Sequence, residues 1–149
     1  MQESTEQLQS NNTLHGLSDI RRFFRRNETP IYFISATNFN LLGADEWVHK
    51  FKFINYIDCF DGQHPNLFVP PEIAHEEFES IEHINNYLLE HKAVADYVRG
   101  RGPGKALFLM FDETTETLAQ ELGLEVCLPP ASLRRHLDDK LVTTRIAEA

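Results

Sequence analysis

Four short, largely apolar runs, separated by polar turns and amphipathic stretches, set the tightest limit on how this chain folds. They are PIYFIS from Pro30, FKFINYIDCF from Phe51, KALFLMF from Lys105 and LEVCL from Leu124. A strand with one face in water alternates apolar and polar residues. A solid run marks a strand buried on both faces, which is the habit of parallel sheets covered by helices. The segments between the runs read as helices. The expected fold is therefore α/β: a Rossmann-like, three-layer domain with a four- or five-stranded, mostly parallel sheet.

The helical segments carry their own signals. SDIRRFFRR predicts a short helix with Ser18 as N-cap and Asp19 in its first turn, its four arginines forming a solvated face. LLGADEWVHKF places Gly43 and Asp45 near another helix start, and DGQHPNLFVPP reads as a loop. After Pro71, residues Ile81, Ile84, Leu88, His91, Val94 (or Ala95) and Val98 recur at three- and four-residue steps. That spacing predicts one long helix, stopped by RGRGPG. ETTETLAQEL is a short amphipathic helix closed by Gly123, and ASLRRHL and DDKLVTTRIAEA form two final helical pieces.

At 149 residues, 42% of them hydrophobic, the chain holds enough apolar material for one core. A net charge of −9 argues against a nucleic-acid partner and an anionic membrane surface, both of which demand basic surface. Residues 1–13 are polar, and a disordered tail is expected there rather than a signal peptide or membrane span. Cys59 and Cys127 share no metal or redox spacing, so they read as two buried thiols in a reducing, cytoplasmic compartment. The last stripe (Val142, Ile146, Ala149) lacks a stop signal, which creates the expectation of a longer polypeptide.

Several motifs fail on inspection. GRGPGK, from Gly100 to Lys105, lacks P-loop spacing and follows a helix instead of a strand, so it reads as a turn. His75, Glu79 and His83 fall at four-residue steps, but H-E-x-x-H is absent and acidic neighbours favour a solvated face over a metal site. Asp58, Asp61 and Asp112 lie near predicted strand ends, yet a receiver domain also needs acids after its first strand, and ISATN has none. The loop after that strand does hold Ser35, Thr37, Asn38 and Asn40. Ligands of open α/β sheets sit outside the carboxyl ends of strands, so these four are the candidate substrate-binding residues. With Gly43 the only glycine there, a dinucleotide fingerprint is missing.

The segment LGLEVCLPPASLRRHLDDKLVTTRIAEA carries a different signal. Pro129–Pro130 make a turn, Ser132–Leu137 a short helix, Asp139–Lys140 an acid–lysine pair, and Thr143 or Thr144 through Ala147–Ala149 a small-residue helix. The order resembles the junction between the pre-ATP-grasp domain and the ATP-grasp fold in biotin carboxylase, carbamoyl phosphate synthetase and the carboxylate–amine ligases. This resemblance implies a pre-ATP-grasp domain over 14–137 and, over 138–149, the start of a linker helix into a downstream grasp domain. It implies ATP and Mg²⁺ as cofactors, held mainly by that downstream domain, with Lys140 contacting the ATP phosphates. The implied activity is a ligase that activates a small carboxylate as an acyl phosphate for capture by an amine or similar nucleophile. A homodimer is compatible with it. The alternative is a non-catalytic Rossmann-like binding or regulatory module.

Overall fold

The computed structural model describes residues 14–138 and Thr144. Helix α1 (Leu17–Arg25) leads into strand β1 (Ile31–Ser35), followed by a 3₁₀ turn (Phe39–Leu41), α2 (Ala44–Trp47) and β2 (Phe51–Asn55). Strand β3 (Leu67–Phe68), helices α3 (Ile81–Glu90) and α4 (Lys92–Arg99), and β4 (Gly104–Phe108) come next. Helix α5 (Glu113–Glu121), β5 (Leu124–Val126) and α6 (Ala131–Asp138) complete the described chain. The five strands form one sheet in the order β3-β2-β1-β4-β5, and every pair is parallel. The expected Rossmann-like α/β fold is present.

Strand alternation sorts the side chains between two cores. Tyr32, Ile34, Ile54, Ala106 and Phe108 face one side, where Leu88 and Leu89 of α3, Val94 and Val98 of α4, and Ala119 of α5 close over them. Phe33, Phe51 and Phe53 face the other, thinner layer, against Leu41, Ala44, Val48 and Leu67. Burying one such aromatic contributes about 2–3 kcal/mol. Phe33 and Phe51 each set an edge against Phe53, at centroid distances of 6.3 and 5.3 Å.

The structure corrects several local expectations. The loop DGQHPNLFVPP contains β3, which pairs Leu67 with Phe53 and Phe68 with Ile54. The single long helix is two. His91 adopts extended backbone (φ −69°, ψ 124°), and its Nδ1 accepts from the Ala93 N–H, capping α4. Its Nε2 lies 2.9 Å from the Pro71 carbonyl, which ties the break to the preceding segment. Helix α3 starts ten residues after Pro71, behind Ser80, whose side chain accepts from the His83 N–H. Helix α1 begins one residue before Ser18, behind Gly16, and has no side-chain cap. The thiols are not buried either: β2 ends before Cys59 and β5 before Cys127, leaving Cys59 half-buried and Cys127 exposed. GRGPGK does form the turn from α4 into β4, with Gly102 at φ +86°.

Tyr32 illustrates how tightly one face is closed. Its ring packs edge-on to Tyr97, yet its buried hydroxyl has no hydrogen-bond partner. Burial pushes its pKa up, partly offset by the Arg101 guanidinium. Tyr32→Phe removes only the unpaired oxygen, so thermal unfolding should show stability unchanged or raised, by up to about 1 kcal/mol. A loss of more than about 1 kcal/mol would mean that the hydroxyl is paired in solution.

Candidate functional site

Strand order reverses between β1 and β4, since the chain builds outward through β2 and β3, then returns to the other side of β1. In open α/β sheets such a reversal is where the loops leaving neighbouring strands diverge and ligands sit. The predicted residues are distributed around this point. Ser35 ends β1 and is buried, Asn38 is fully buried, Thr37 is half-buried and Asn40 is exposed. The Ser35 hydroxyl donates to the Thr37 carbonyl, which curls the loop back on itself.

Sequence reasoning missed two further buried amides. Asn55 ends β2 opposite Ser35 in the register. Its Nδ2 donates to the Ser35 carbonyl at 3.2 Å, the Ser35 hydroxyl at 3.1 Å and the Ile54 carbonyl at 3.1 Å. Asn85 projects from α3, and its Nδ2 donates to the carbonyl of Met110, two residues beyond β4, at 2.6 Å. The oxygens of both amides are buried without partners, as are both polar atoms of Asn38. Buried amide groups are nearly always paired, so these unmet atoms are unusual; Asn55 follows Phe53 toward the thinner layer, whereas Asn85 comes from α3 on the other face of the sheet. A signal was present in FKFINYI, where an Asn interrupts a run otherwise suited to complete burial.

Large apolar side chains rim the same edge. Phe39 (66% exposed) and Leu42 follow β1, Ile57 follows β2, and Leu109 (50% exposed) and Met110 follow β4. Leu128, after β5, and Leu133 and Leu137 of α6 extend the surface into an apolar groove of about 260 Å³. Single exposed leucines are ordinary, whereas these follow the carboxyl ends of four of the five strands in turn. A larger groove, about 570 Å³, runs along α1, which enters β1 at the opposite edge. Its arginines Arg22 and Arg26 are balanced by Asp19 and Glu28, so it lacks the charge bias of an anion site.

The carboxylates near strand ends hold loops. Asp58 accepts from the backbone N–H groups of Phe60 (2.8 Å) and Gly62 (2.7 Å). Asp112 caps α5, accepting from the Thr115 N–H at 2.8 Å. Burial pushes the Asp112 pKa upward, but hydrogen bonds from Thr115, Asn86 and Thr114 outweigh it and leave the pKa lowered. A depressed folded pKa means stabilisation that is complete above the unfolded value, near 3.9, and is lost as pH falls through the folded value. Asp112→Ala should cost about 1 kcal/mol at neutral pH. In urea titrations the gap from wild type should narrow on acidification to about pH 3. A gap independent of pH would remove the carboxylate from this role.

His75 and Glu79 lie on the irregular stretch before α3 while His83 lies on it, so the three do not share a helix face. His75 instead joins an aromatic cluster. Its Nε2 is 3.0 Å from the Tyr56 hydroxyl, and its ring stacks on Phe78 at 4.2 Å. Among the described residues, no group of three or more His, Cys, Asp or Glu could hold a metal ion. No helix among them is long and apolar enough to cross a membrane. Lys140 lies outside the described residues; α6 ends at Asp138, two positions before it. Compared with protein-family models, curated proteins and solved structures, the chain finds no match in any of the three.

Proposed function

We propose that this chain is the N-terminal, substrate-side domain of an ATP-dependent ligase of the ATP-grasp superfamily. That ligase activates a small carboxylate as an acyl phosphate for capture by an amine or similar nucleophile. The observation that carries this reading is the carboxyl edge itself. Exposed apolar side chains follow the carboxyl ends of the strands on either side of the switch point, as would suit a face closed by a second domain. The resemblance of residues 129–149 to the pre-ATP-grasp junction names that second domain. Helix α6 reaches Asp138 beside the groove it lines with Leu133 and Leu137, and Lys140 follows two residues later.

ATP and Mg²⁺ would supply the phosphoryl activation, with Lys140 providing fixed positive charge against the triphosphate. Ser35, Asn38 and Asn55 are uncharged and do not fit a magnesium triphosphate. The domain's own work is therefore to orient the other substrate at Ser35–Asn40 and exclude water. The chain alone should have no ligase activity.

Calorimetry with Mg-ATP tests the division of labour. The 149-residue chain should bind more weakly than about 1 mM. A polypeptide extended by the downstream coding sequence should bind tightly, and Lys140→Ala within it should weaken binding at least about tenfold, about 1.4 kcal/mol. Tight binding by the short chain, or a stop codon directly after codon 149, would sink the reading.

A further inference from the structure

We infer that one face of α1 is a docking surface for a second copy of this chain, whose acidic groove beside α3 receives it. The inference stands apart from the ligase reading, since neither surface includes the switch point or the apolar groove lined by α6.

No residue of α1 is buried. Between Leu17 and Arg26 stand four arginines against one acid, Asp19. Arg22 and Arg26 line the groove they share with Asp19 and Glu28. Leu17, Arg21 and Arg25 follow one another at four-residue steps and so share a different face. Leu17 is 59% exposed. The Arg21 guanidinium lies 4.6 Å from the centre of the Trp47 ring, a cation–π contact that restrains the long side chain. Glu46 shares this flank, yet among the described residues neither Arg21 nor Arg25 has an ion-pair partner.

The complementary surface lies where the chain approaches and enters α3. A cavity of about 390 Å³ is lined by Glu76, Glu77, Glu79 and Glu90, beside Phe78 and Tyr87, and by no lysine or arginine. All four glutamates are exposed, and among the described residues none has an ion-pair partner. Like charges crowded on one surface repel, and a cationic partner relieves that repulsion. The two rings offer apolar contact to Leu17 and faces on which a guanidinium stacks.

One copy cannot make this contact with itself. Helix α1 packs beside α2, whose Ala44 closes the thinner layer, whereas Leu88 and Leu89 place α3 on the opposite face of the sheet. The net charge of −9 sets the whole chain against a uniformly anionic polymer or bilayer, so the partner must offer acid only locally. The α3 groove does so, with its acids confined to one patch and aromatic rings among them.

Sedimentation velocity of the 149-residue chain, from about 10 µM to about 500 µM in about 0.15 M salt, tests this. The contact joins unlike surfaces, so each dimer keeps one free helix and one free groove. The weight-average mass should therefore keep rising with concentration. Arg21→Gln/Arg25→Gln and Glu77→Gln/Glu79→Gln should each lose affinity at least about tenfold and stay monomeric. All four side chains are exposed, so both variants should keep the circular dichroism of wild type. An equimolar mixture of the two should associate again and stop at the dimer, because one working groove meets one working helix. Wild type that stays monomeric throughout, variants that associate like wild type, or a mixture that stays monomeric would overturn the inference. So would phosphatidylserine vesicles or duplex DNA bound through Arg21 and Arg25 by a chain that remains monomeric.

Discussion

Gly104→Ala is expected to destabilise the domain by about 2–3 kcal/mol. Gly104 opens β4, and a Cβ built on it would lie 2.5 Å from the Pro30 carbonyl oxygen, 3.1 Å from the Tyr32 ring and 3.2 Å from the Pro30 Cβ. The first neighbour is backbone, so no rotamer change relieves the clash. That carbonyl also accepts from the Lys105 N–H at 2.9 Å, at the start of the β1–β4 pairing. Relief must push apart the two strands whose junction defines the switch point. The thermal midpoint should fall by about 8–10 °C. Gly16→Ala, where nothing lies within 4 Å of the added atom, is the matched control, and should stay within about 0.5 kcal/mol of wild type. A Gly104 variant as stable as that control would mean that β1 and β4 do not approach this closely.

The close contact explains part of what the sequence made legible. Solid runs such as IYFIS and KALF fit few settings other than the middle of a covered parallel sheet, so the fold class followed from them. Strand β3 escaped because it is two residues long and framed by Pro65 and Pro70, where local turn chemistry outweighs two apolar residues. The break at His91 escaped because periodicity counts positions, not backbone angles. His91 falls in phase with Leu88 and Val94 whether or not the helix is continuous. The cysteines misled for a related reason: each sits just past a strand's end, where a run of apolar letters outlasts the sheet.

The site was legible in its position but not in its composition. Ser35 and Asn38 could be placed at the carboxyl edge because they directly follow the first run. Asn55 meets Ser35 only because the register sets β2 beside β1 with Asn55 opposite Ser35, a relation across twenty residues that no local pattern carries. Asn85 arrives from a helix whose packing against the β4 loop is likewise non-local.

Asn38→Leu should make the domain more stable, not less, by about 1–2 kcal/mol. An amide buried without partners forfeits its hydration, at a cost of about 1–3 kcal/mol, and an apolar side chain of similar shape escapes that cost. Both polar atoms of Asn38 are in this state, and the residue is completely buried. Its backbone, φ −99° and ψ 6°, lies at negative φ and sets no left-handed strain against a larger side chain. The thermal midpoint should rise by about 4 °C. Retaining an amide whose removal stabilises the fold is the pattern of a residue kept for binding, because groups poised for a ligand are left unsatisfied until it arrives. The opposite outcome is equally informative. A loss of about 1 kcal/mol or more would mean that Asn38 is hydrogen-bonded in solution, by trapped water or by the loop itself. The loop after β1 would then be a satisfied structural turn, with no unpaired amide at Asn38.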